Sequence, residues 1–170
     1  MELHRFINQM AANAQRLSAL AENVSQEQAR WQPGPNAWSI LEVICHLRDE
    51  EKADFRAHLD LILHRSADPW PRISPEAWAT ERHYNEQALD TCLRDFLSAR
   101  KESLDWLRGL SAPDWNREYP APWGSPIRAG DMLAAWVAHD LLHLRQLIRL
   151  HWAYTLRQVQ PYTVDYAGDW

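Results

Sequence analysis

The sequence predicts an all-α protein built as a four-helix bundle. Three observations carry this: four long amphipathic segments, no convincing strand between them, and connections rich in proline and tryptophan that cannot prolong a helix. The length agrees, because 170 residues with 46% hydrophobic residues supply one core, and no composition shift, internal repeat or low-complexity tract divides the chain. The bundle is expected over residues 1–154, with a tail, 155–170, packed on or near it.

The first helix spans residues 2–23, where Leu3, Phe6, Met10, Leu17 and Leu20 fall close to one stripe. Ser25 and Gln28 have capping-box spacing before QPGPN, so one short helical turn is expected there. Trp38, Ser39 and Glu42 then supply a hydrophobic residue, an N-cap and a capping-box acid ahead of a second long helix, residues 40–65. Residues 65–84 hold three prolines, with Ser74 and Pro75 opening another short helix. This connection could reach about 66 Å, against roughly 38 Å for a 25-residue helix, so the second and third helices can run parallel. The third helix, residues 85–110, buries Leu89, Leu93, Phe96, Leu97, Leu104 and Leu107 and ends near Gly109. A proline-rich connection, 111–128, leads to the fourth, 129–154. The tail has no clear period and is read as irregular or briefly extended.

Charge and composition exclude several classes. Eighteen basic residues against 23 acidic ones give a net charge of −5 with no basic stripe, which argues against nucleic acid as a partner. No apolar run is long enough to span a bilayer, and MELHRFINQM lacks the layout of a signal peptide, so a cytoplasmic protein is expected. Cys45 and Cys92 lie in separate helices without CxxC spacing and read as reduced core residues. Five of the ten tryptophans (Trp31, Trp70, Trp78, Trp115 and Trp123) fall in connections, where they plug bundle ends or line a pocket.

The chemistry concentrates in the fourth helix. Met132, Trp136, His139, His143, Gln146 and Leu150 follow the spacing of a core stripe, so two histidines one turn apart interrupt the seam. A buried imidazole must be hydrogen-bonded, paired with a carboxylate or bound to metal. Imidazole suits zinc, nickel and iron, and a catalytic site takes three protein ligands and leaves a position open. Among the other histidines, His46 alone sits early in a long helix beside an apolar stripe, which makes it the third candidate ligand. Glu50, one turn beyond His46, is either a base or extra ligand in the same space or a solvated acid of the run RDEEK. Asp140 and Gln146 are candidates to orient a ligand from behind. A zincin peptidase would need HExxH where this chain has HDLLH, and a di-iron carboxylate bundle would need Glu-x-x-His pairs, which do not occur.

Trp38-Ser39, the run His46-Leu47-Arg48-Asp49-Glu50-Glu51, and His139, His143 and Gln146 together resemble the DinB/YfiT-like family of metal-binding bundles, over roughly residues 1–154. The resemblance implies an up-down-down-up bundle with a divalent metal, zinc or nickel, on His46, His139 and His143. It further implies a small-molecule substrate and either hydrolysis or transfer of a low-molecular-weight thiol, and a homodimer is compatible with it. The rival reading is a non-catalytic bundle that binds a small ligand or serves a structural role. A closed coordination sphere, or histidines paired with carboxylates, would favour that rival.

Overall fold

The computed structural model describes residues 2–168. The long helices are α1 (Leu3–Ala21), α3 (Ile40–Ala53) continued by α4 (Phe55–His64), α6 (Leu89–Gly109) and α7 (Ala129–Gln158), with short helices α2 (Gln26–Arg30) and α5 (Pro75–Glu81) in the connections. Cross-helix contacts fix their directions. Cys45 meets Cys92 and Glu51 meets Arg100, so α3 and α6 run parallel, as the long connection allows. Asn13 meets Asp140 and Leu20 meets His151, so α1 and α7 are parallel too. Glu51 touches Trp136 while His46 faces His143, which makes α3 antiparallel to α7. The result is the up-down-down-up bundle.

Local chemistry explains where the elements begin. Ser39 Oγ accepts from the Glu42 amide and the Glu42 carboxylate accepts from the Ser39 amide, a complete capping box at the start of α3. Ser25 caps α2 by accepting from the Gln28 amide, and Pro75 occupies the first turn of α5. One buried cluster gathers Leu17, Ile44, Phe96 and Leu147, and a second gathers Met10, Leu59, Leu104, Leu133 and Trp136. Among the described residues no helix is long and apolar enough to cross a membrane.

Four features depart from the sequence reading. The second long helix is broken at Asp54 (φ −115°, ψ −95°), whose carboxylate turns to His58 Nδ1 at 2.7 Å; neither proline nor glycine marks the break. The third helix starts four residues late, after a 3-10 turn at Tyr84–Glu86. The connection before α7 carries an antiparallel hairpin, β1 (Glu118–Pro120) and β2 (Pro126–Arg128), too short and proline-rich to show alternation. Its loop turns through Gly124 at φ +93°, a conformation that a side chain would strain. Finally, α7 runs on to Gln158, since no breaker occurs before Pro161, so part of the tail is helical and Tyr162 and Tyr166 beyond it are exposed. The last two residues of the expected tail lie outside the described ones.

Candidate metal centre

Helix α3 presents His46 and Glu50 on one turn-to-turn face, and α7 presents His139 and His143 in the same way. The antiparallel packing brings the two pairs together. The candidate ligand atoms of His46, His139 and His143 all lie within 4.8 Å of one another. The Nε2 atoms of His139 and His143 are 3.0 Å apart. Two nitrogens held about 2.0–2.1 Å from one ion at right-angled to tetrahedral spread would sit about 2.9–3.4 Å apart, so the pair fits a shared cation.

The surroundings are built for neutral imidazoles. Burial, with His143 and His139 alongside, pushes His46 down to about 3. Burial and His139 push His143 down to about 4. Near neutral pH each of these rings therefore keeps a free lone pair. Gln146 Oε1 lies 2.8 Å from His143 Nδ1, so the ring donates from Nδ1 and turns its Nε2 lone pair into the site. Trp38 packs against His46 with ring centres 4.7 Å apart, and Phe55 against His139 at 4.9 Å. Phe55 is the first residue after the Asp54 break, which places its ring there.

Glu50 is buried, not a solvated surface acid, and burial raises its carboxyl above the ordinary range. Its oxygens approach His46 Nε2 at 3.4 Å and His139 Nε2 at 2.9 Å, yet Oε2 has no aligned hydrogen-bond donor among the described residues. His46 Nδ1 is likewise buried without a partner among them. A cation between the rings and Glu50 would account for this crowding of acceptors.

Asp140 does not reach the imidazoles as expected. It accepts two hydrogen bonds from Arg100 at 2.8 Å each and one from Asn13 at 3.3 Å. Arg100, only 2% exposed, also donates twice to Glu51 at 2.9 Å and once to the Met10 carbonyl at 3.2 Å, while Trp136 Nε1 donates to Glu51. Sequence reasoning missed this network, because an arginine in the run SARKES reads as part of a polar face. Three buried carboxyl groups, Glu50, Glu51 and Asp140, thus share this neighbourhood with the single guanidinium of Arg100, a donor set that again suits a cation.

The site opens onto a cavity of about 520 Å³ lined by the triad, Glu50, Trp38 and residues 73–76 of the connection after α4. A second cavity of about 690 Å³ shares Trp38 and Glu76 with it and continues past Gln146 to Arg149 and Trp152. Of the five connection tryptophans, none lines either cavity. Trp70 instead stacks on buried His58 with ring centres 4.1 Å apart, and Trp78 is core.

Comparison with known proteins agrees with this architecture. Among solved structures, YfiT from Bacillus subtilis, described as a probable metal-dependent hydrolase with an unusual four-helix bundle topology, superposes with a TM-score of 0.77. It is 17% identical, over 88% of this chain and 85% of its own. A mutant of a mycothiol-dependent maleylpyruvate isomerase superposes with a TM-score of 0.67 at 16% identity, over 86% of this chain and 61% of its own. A search of curated proteins finds no match. A sequence profile of the DinB superfamily matches residues 9–147, a span that holds all three histidines, the whole of α3 and the part of α7 that carries His139 and His143, and the chain belongs to that superfamily.

Proposed function

We infer that His46, His139 and His143 hold one divalent metal ion, zinc or nickel, and that the protein is a metal-dependent enzyme acting on a small molecule by hydrolysis or thiol transfer. The observation that carries this reading is the convergence of three imidazoles from two helices, those of His46 and His143 buried and that of His139 half-buried, in the lining of one cavity. When bound, such an ion supplies Lewis acidity that makes a water or a low-molecular-weight thiol a nucleophile near neutral pH. Glu50, with its carboxyl raised by burial and its oxygens facing the same space, accepts the proton released. Gln146 holds the His143 ring, and Trp38 and Phe55 flank the other two and limit water. The open cavity favours this reading over a non-catalytic ligand-binding or structural bundle, whose metal would be enclosed. The approach of Glu50 to His46 and His139 is the pairing that the rival predicts, so the metal content decides between them.

A cytoplasmic homodimer belongs to the same proposal. Leu141, Leu142, Ile148 and Leu156 are exposed along α7 and would be covered by a second copy.

Elemental analysis of untagged protein tests the site. One equivalent of metal is expected in the wild type and none in His46→Ala or His139→Ala; a variant that keeps full stoichiometry overturns it. Glu50→Gln is expected to keep the metal and lose about 10²-fold or more in turnover on whichever thiol or ester substrate the wild type accepts. Loss of the metal from this variant would make Glu50 a ligand instead of a base.

A further inference from the structure

The two cysteines lie on the parallel faces of α3 and α6, both buried, with their Sγ atoms 2.8 Å apart and no bond between them. This is closer than two unbonded sulfurs normally rest. Their surroundings are polar. Arg48 Nη1 approaches Cys92 Sγ at 3.3 Å, and Gln87 Oε1 accepts from Cys92 at 3.3 Å and from Cys45 at 3.8 Å while also accepting from Arg48 at 2.8 Å. Gln87 in turn lines a small cavity of about 110 Å³ bordered by Leu41 and Leu89, so the polar group that bridges the two thiols also faces a space large enough for a molecule little larger than water.

We propose that Cys45 and Cys92 are a peroxide-sensitive dithiol, whose oxidation joins α3 to α6 through a disulfide. Cys92 is the attacking sulfur. The thiol of Cys45 donates towards it and the Arg48 guanidinium lies beside it, and together they hold the Cys92 thiol below its ordinary range. The oxidant is a small hydroperoxide. The Cys92 thiolate displaces hydroxide from hydrogen peroxide to give a sulfenic acid; Cys45 sulfur then attacks that sulfur and water leaves with the Cys45 proton. Two thiols and one peroxide give one disulfide and two waters. Cys45 directly precedes His46, so the bond fastens the α3 turn that carries the candidate ligand to its neighbouring helix. The inference does not depend on a metal at the triad.

The test exposes the protein as purified to increasing hydrogen peroxide, blocks the remaining thiols with iodoacetamide under denaturing conditions, and maps non-reduced tryptic peptides by mass. The expected result is a linked peptide pair spanning Cys45 and Cys92, the simultaneous loss of both alkylation sites, and recovery of both on reduction. Thiols that stay alkylatable at peroxide levels that oxidise a free cysteine peptide would overturn the proposal. So would sulfinic acid without a linked pair, or a disulfide between two chains. In Cys45→Ser, Cys92 is expected to stop at a sulfenic acid trapped by dimedone, and Arg48→Gln is expected to slow linkage by about an order of magnitude. If either variant fails to fold, the wild-type peptide map alone decides.

Discussion

His139 and His143 face each other across 3.0 Å, and the interior that buries His143 and nearby His46 disfavours a charge on either of those two rings. The cost of keeping such rings neutral appears when pH falls. His46 and His143 take up protons at about 3 and about 4 in the fold, against about 6.5 in the unfolded chain, so the unfolded state binds more protons between those limits. Stability of the metal-free protein is therefore expected to rise with pH up to about 6.5 and level off above it. At pH 5 the loss is roughly 2 kcal/mol per histidine. Urea denaturation in chelator at pH 5 and pH 7 measures this, and equal free energies at both would contradict it. The histidine pair was legible because spacing alone puts it on a core stripe. Gln146 was legible for the same reason, three residues beyond His143. Which acid of RDEEK turns inward was not, since that depends on what α6 and α7 present opposite it: Arg100 for Glu51, the imidazoles for Glu50.

Capping chemistry made the start of α3 the best-defined boundary in the sequence, and the structure adds a tertiary role to it. Ser39 is fully buried and its hydroxyl also donates to Asn85 Oδ1 at 2.8 Å, tying the start of α3 to the turn that precedes α6. Ser39→Ala is expected to cost about 1–2 kcal/mol, with the change carried by the denaturation midpoint and not by its slope. A change within a few tenths would show that the cap is dispensable. The Asp54 break was illegible because its determinants are tertiary: the Asp54–His58 pair, and the stacking of Phe55 on Trp136 with planes 7° apart. The hairpin was hidden by its prolines, though it anchors α7 through the Ala129 and Gly130 amides, which donate to the Arg117 and Trp115 carbonyls.

Across the whole molecule, Arg100 on α6 is bonded to groups from α1, α3 and α7 at once. Arg100→Met would leave Glu51 and Asp140 facing each other without a counter-charge, and a loss of about 3–5 kcal/mol is expected in chemical denaturation. A loss below about 1 kcal/mol would mean that the carboxylates find other partners. The topology itself was legible, since a 20-residue connection permits a parallel pair, but the charged knot at its centre was not. The partnership of α1 with α6 and α7 has one more consequence. During synthesis the first helix leaves the ribosome with Ile7, Met10 and Leu17 uncovered, and the helices that bury them are the last to be made. The nascent chain must carry an open apolar stripe through most of its translation, which makes it a natural client for a chaperone until α7 has emerged.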